Sequence, residues 1–260
     1  MESALASALA SLNSASLLVL CVVIFAFSLA GVVKGVIGLG LPTVAVGILG
    51  LVMAPTQAAA ILLLPSLVTN LWQLAAGPRF GALLKRLWPL LLGTCVGTWS
   101  GTLLFEGVSM AWAPMALGAA LIAYAVVGLS AVRFAVPRRA EAWLNPLIGV
   151  STGIVTVATG VFVVPTVPYL QALEMEREDL IQALGLNFTV TTFALAGGLL
   201  HGGVLRPALA GFAALALVAA MAGMFLGQKL RSRIRPEVFR RFFFWGLLLL
   251  GCHLALRGLI

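Results

Sequence analysis

Gly31–Gly50 reads GVVKGVIGLGLPTVAVGILG, an apolar stretch composed against an unbroken helix. Gly31, Gly35, Gly38, Gly40 and Gly47 remove side chains, and Pro42 removes a backbone donor. A continuous helix from Leu17 to Val52 is therefore not expected. Where a chain breaks inside lipid, the freed N–H and C=O groups must be buried in protein or line a cavity. The stretch also holds Lys34, the only basic residue before Arg79. An ammonium at bilayer depth is costly and marks a functional site by default.

The same device recurs at a constant offset of 118, where Gly149–Leu170 reads GVSTGIVTVATGVFVVPTVPYL. Gly31 matches Gly149, Gly35 matches Gly153, Pro42 falls on Gly160, Gly47 falls on Pro165, and Lys34 falls on Thr152. Further on, Gln57-Ala58 resembles Gln182-Ala183, and Gly97-xxx-Gly101 resembles Gly223-xxx-Gly227. One unit of four segments is used twice, at residues 1–136 and 137–260.

With 62% hydrophobic and 9% charged residues in 260, the chain is a polytopic membrane protein of all-α class. Single spans are expected at 56–76, 88–105 and 112–132, then at 180–200, 207–227 and 242–258. Each group of three follows a glycine-broken segment, at 14–55 and 143–172. In the first, 14–35 forms a half-helix, the break runs over 36–42 and 43–53 returns. The N-terminus carries no basic run of a cleaved secretory signal. Cys21, Cys95 and Cys252 fall within spans and fit no metal-ligand spacing. The net charge of +8 is a matter of topology and does not point to nucleic acid.

Charge placement decides how the broken segments cross. If each crosses once, the loops carry eight basic residues on one side and seven on the other. If each goes in and returns as a hairpin, the two halves are inverted. One side then collects Arg79, Lys85, Arg86, Arg133, Arg138, Arg139, Arg177, Lys229, Arg231, Arg233, Arg235, Arg240 and Arg241, against Arg206 and Arg257. Thirteen against two is the positive-inside pattern, with both termini outside the cytoplasm. The run Arg231–Arg241 serves this topology or faces lipid headgroups.

Repeated halves with broken helices point to a transporter site at the repeat interface. Each returning helix is expected to turn its N-terminus toward the membrane centre, the two ends meeting as an anion cradle. Lys34 adds positive charge, and no Asp or Glu falls within the membrane region to build a cation site. The candidate substrate-binding residues are Lys34, Gly38, Gly40, Pro42 and Thr43 at the first break, and Thr156, Thr159 and Gly160 at the second. Gln57, Asn187 and Thr191 join them from the following helices. Either Lys34 is neutral at that depth or an anion shares its site, and an anion is the expected partner in preference to a protein group. No arrangement of nucleophile and base suggests an enzyme, and no cofactor or metal is called for.

At these residues the chain resembles the sulfite exporter TauE/SafE family of membrane permeases, whose halves each open with a glycine-rich G-x-G-G-G segment, a short apolar stretch and Pro. The first copy here is Gly38-Leu39-Gly40-Leu41-Pro42, with Gly47 at the later proline position. The second is Thr156-Val157-Ala158-Thr159-Gly160, with Pro165 in place. The resemblance covers nearly the whole chain, including the Gln-Ala and Gly-xxx-Gly pairs. It implies movement of sulfite, thiosulfate or organosulfonates, where the residues alone say only a small anion. The reading is a secondary transporter in the cytoplasmic (inner) membrane, working by alternating access among membrane lipids. A proton or sodium coupling ion and a homo-oligomer fit this reading. An anion channel and a non-transport membrane scaffold remain the alternatives.

Overall fold

A computed structural model describes residues 2–130, 135–205, 207–231 and 233–257. Arg133 and Arg206 of the charge pattern lie outside the described residues. The elements run α1 (Glu2–Ile37), α2 (Leu41–Leu49), α3 (Pro55–Ala75), α4 (Phe80–Leu104) and α5 (Ala113–Leu129). They continue as α6 (Arg138–Thr159), α7 (Thr166–Ala172), α8 (Arg177–His201), α9 (Ala210–Leu230) and α10 (Pro236–Arg257), with a 3-10 turn at Pro207–Leu209. No strand occurs among the described residues. Seven helices are long and apolar enough to cross a membrane, and α5 is a shorter apolar helix of 17 residues.

The breaks fall where left-handed glycines stand, Gly38 at φ 81° and Gly40 at φ 103° in the first, Gly160 at φ 73° in the second. The arms differ from the half-helices expected. The apolar part of α1, Leu17–Ile37, is 21 residues long, about 31 Å at 1.5 Å per residue. It is a full crossing before the break begins, and α6 is likewise 22 residues. The returning helices α2 and α7 have only nine and seven residues. Eight of the nine α2 residues are buried, as befits a helix apolar on every face. Helix α4 also begins eight residues before the expected span at 88. Arg86 enters the helix because Glu141 meets it with two hydrogen bonds of 2.8 and 2.7 Å.

Close contacts fix the direction of each helix. A Cβ on Gly31 would lie 2.2 Å from Ala220 O, and one on Gly35 would lie 2.8 Å from Gln228 N, so α1 and α9 run parallel with backbones touching. Helices α4 and α6 do the same, Gly97 against Val150 and Gly153 against Thr98. Helix α3 runs antiparallel to α8, with Gly185 against Leu74 and Ser66 opposite Thr192. Helix α5 runs antiparallel to α10, with Gly118 against Ala255 and Gly128 against Phe244. Helix α2 runs alongside α10 in the same sense, Gly40 at Phe243 and Gly47 at Leu250.

These directions gather the turns after α1, α3, α5, α7 and α9 at one end of the bundle. Among the described residues, that end holds Arg79, Lys85, Arg86, Arg138, Arg139, Arg177, Lys229, Arg231, Arg233, Arg235, Arg240 and Arg241, while Arg257 is at the other. The first is called the basic end below.

Candidate functional site

Lys34 sits in the last turn of α1 and is 4% exposed, the one buried Lys or Arg among the described residues. Its Nζ donates to Thr69 Oγ1 at 3.0 Å and to Asn70 Oδ1. Pro65 interrupts the α3 ladder just below, and its carbonyl accepts the Thr69 hydroxyl at 2.7 Å. With that hydrogen committed, Thr69 can only accept from Lys34. Asn70 Nδ2 donates to Ser66 Oγ at 2.9 Å, and Ser66 lies 3.3 Å from Thr192 Oγ1. Thr192 gives its own proton to Phe188 O at 2.6 Å, so Ser66 is the donor in that pair. The chain Lys34, Asn70, Ser66, Thr192 thus points every donor away from the ammonium and crosses from α1 through α3 to α8.

All these partners are neutral. Of the acids, Glu141 is held by Arg86 and Asp179 by Arg79 at 3.0 Å, both at the basic end. Two protein oxygens therefore hold Lys34, whereas the sequence favours an anion over a protein group as its partner. Among the described residues Lys34 forms no ion pair.

One turn beyond Lys34, the Gly38 carbonyl accepts from Gln73 Nε2 at 2.6 Å, while Gln73 Oε1 has no partner among the described residues. Gly40 O accepts from Thr43 Oγ1 at 2.9 Å and from Val44 N at 3.0 Å, and Pro42 occupies the first turn of α2. A cavity of about 400 Å³ opens beside this break.

The second break is lined by neutral, buried side chains. Thr166 and Thr152 hydroxyls lie 2.6 Å apart where the first break has its ammonium, and Thr152 donates to Ile148 O at 2.7 Å. Thr156 donates to Thr152 O, Thr159 to Val155 O, and Val161 N–H to Thr159 Oγ1. Gly160 packs against Ala59 and Pro55 at the start of α3, whereas Gly38 lies beside Gln73 near its end. Those anchors are fourteen residues apart on α3, on the order of 20 Å along the helix. The breaks do not meet, because the arm before each is already a full crossing.

The remaining candidates divide. Gln57 is exposed at the start of α3. Its counterpart Gln182 is buried and clamps the α3–α4 turn, donating to Leu74 O at 2.9 Å and accepting from Arg79 N at 3.0 Å. Asn187 is wholly buried, its two amide atoms have no partner among the described residues, and Thr191 donates to its backbone carbonyl at 2.8 Å. The structure thus joins Lys34 to Thr69, Asn70, Ser66 and Thr192. Thr69 and Ser66 carry no sequence signal, because single hydroxyls in an apolar helix make no pattern.

Comparison with known proteins gives one positive result. A family model described as Sulfite exporter TauE/SafE matches residues 23–254, a range that includes both breaks and every member of the Lys34 chain. No curated protein and no solved structure matches. With a match over most of its length and a bundle of membrane-length helices beneath it, the chain belongs to the TauE/SafE sulfite exporter family.

Proposed function

We propose that this protein is a secondary transporter that carries a small anion, a sulfur oxyanion or an organosulfonate, across the cytoplasmic membrane by alternating access. The observation that carries the reading is Lys34, a buried ammonium solvated only by neutral oxygens and one turn from a helix break. Burying a charge without a counter-charge is costly, and a transported anion supplies the missing charge. The family match supports the substrate class.

Residues 1–136 and 137–260 act as inverted repeats. In support, α1 packs on α9 as α6 packs on α4, while α3–α8 and α5–α10 are each symmetric under exchange of the halves. The basic end is the cytoplasmic one, as positive-inside charge bias favours. Lys34, Gly38, Gly40, Pro42, Thr43, Asn187 and Thr191 serve the anion from that side. Thr156, Thr159, Gly160 and Gln57 serve the opposite side, and a proton or sodium ion drives the cycle. A homo-oligomer is compatible with this arrangement.

Purified protein in liposomes tests the reading by uptake of labelled sulfite, with thiosulfate, sulfate, taurine and acetate as competitors. Saturable uptake, competition by sulfur anions and dependence on an imposed ion gradient are expected. Non-saturating flux would make it a channel, and no flux of any of these anions would leave a scaffold.

A further inference from the structure

The geometry points to a second anion-binding position, an arginine-lined vestibule at the basic end that captures the anion before it reaches Lys34. The inference rests on the transport reading for what lies beneath the vestibule, and its own binding can be measured apart from transport. The cavity beside the first break has about 400 Å³ and takes Gly38 in its wall. Arg177 enters from the first residue of α8, Arg231 from the end of α9 and Arg240 from α10. Three guanidinium groups from three separate elements thus line one space. Glu237 is the one acid in the lining, and among the described residues it forms no ion pair with any of the three. Arginines that tie the same end together behave otherwise. Arg79 is bridged to Asp179 at 3.0 Å and Arg86 to Glu141 at 2.7 Å.

The cavity also leads somewhere. Its α8 wall is Leu180, Ile181 and Leu184. Asn187 follows one turn deeper on that face, fully buried with neither amide atom partnered. On the other side, the Gly38 carbonyl is held by Gln73, whose Oε1 is unpaired, and one turn further Asn70 holds Lys34. Polar groups without partners among the described residues therefore lie inward of the arginines from both walls.

Guanidinium forks match the paired oxygens of sulfite, sulfate and sulfonates. A cleft lined by one sign of charge within low-dielectric walls raises the local concentration of the opposite ion. Arg177 and Arg240 are exposed and Arg231 is half-buried, so the captured anion keeps much of its water. The vestibule sets how readily the transporter fills and leaves the inner step to Lys34.

The test compares the wild-type protein with the triple variants Arg177→Gln/Arg231→Gln/Arg240→Gln and Arg177→Lys/Arg231→Lys/Arg240→Lys. Initial rates of sulfite uptake are measured at low ionic strength and at about 0.5 M salt, where charges are screened within a few Å. The Gln variant is expected to need about tenfold more sulfite for half-saturation at low salt. Its maximal rate should be unchanged, the difference should close at high salt, and the Lys variant should recover most of the loss. An unchanged half-saturation at low salt overturns the vestibule and leaves the transport reading standing. If the wild-type protein moves no sulfite, the transport reading fails and the vestibule is decided by melting. Sulfate, against chloride at matched ionic strength, should then raise the Tm of the wild-type and Lys proteins but not of the Gln variant. Equal shifts in all three would overturn it.

Discussion

The two broken helices solve one backbone problem with different side chains. In the second, Thr152, Thr156, Thr159 and Thr166 bind the backbone and each other, and the break closes without charge. In the first, Lys34 stands at the Thr152 position, with Thr69 and Asn70 around its ammonium. The neutral copy shows that a turn at a left-handed glycine needs no cation to be stable in this bundle. Lys34 is therefore not explained by the fold. A buried lysine at one break and threonine hydroxyls at the other make the two breaks chemically unlike.

The largest effect is expected from removing that asymmetry. Lys34→Gln should lower sulfite uptake about ten- to a hundredfold while the protein still folds, since loss of a charged hydrogen bond is worth about 1.5–3 kcal/mol. Relieving an uncompensated buried charge should also hold or raise the melting temperature. Uptake and melting of the same preparation check both, and normal uptake would return Lys34 to a packing role. Lys34→Arg should restore only part of the rate, because a planar fork does not fit where a point charge meets two oxygens.

Asn70→Asp should come next. It places a carboxylate on the oxygen that Lys34 already uses, supplying from the protein the counter-charge proposed to come from the anion. Transport is expected to fall more than tenfold with no loss of melting temperature. Uptake equal to wild type would mean that Lys34 does not need its charge open to the anion.

Much of the fold could be read from residues 31–50 and 149–170, because glycine and proline act locally and leave the same trace in both copies. The loop charges favour a hairpin form, and the helix directions gather the basic residues at one end, Arg257 apart, among the described residues. The depth of the breaks could not be read. Whether Gly38 ends a half-helix or a full crossing depends on where the preceding helix enters the bilayer, and uniform apolar sequence from Leu17 onward does not mark that point. The partners of Lys34 were hidden for a related reason. Thr69 and Asn70 meet Lys34 across the α1–α3 contact, and Gly185 brings α8 close to α3 at Leu74 and the Asn70 carbonyl, so the site is assembled from three helices together.

Smaller effects test whether the backbones of the breaks are as alike as their sequences. Gly40 has φ 103° and a Cβ there would lie 2.8 Å from Val33 Cγ1, while Gly160 has φ 73° and its Cβ would lie 3.0 Å from Ala59 Cβ. The first angle lies outside the left-handed well open to other residues. Gly40→Ala should cost about 2–3 kcal/mol and Gly160→Ala about 1–2 kcal/mol, read as a difference in melting or denaturant midpoint. Equal losses would mean that the first break relaxes around a side chain.

The smallest effect is expected at Thr152, the neutral counterpart of Lys34. Thr152→Val keeps the shape of the side chain and removes the hydroxyl that bonds Thr166 Oγ1 at 2.6 Å and Ile148 O at 2.7 Å. Thr166 then keeps its proton in a buried place with no acceptor, at a cost of about 1 kcal/mol. Because α6 holds its own ladder and packs on α4 through Gly149 and Gly153, the break itself should survive. Sulfite uptake should stay within about twofold of wild type, roughly 0.4 kcal/mol in barrier terms. A loss as deep as that of Lys34→Gln would show that the second break handles the anion as directly as the first, and the division of labour between the two halves would have to be abandoned.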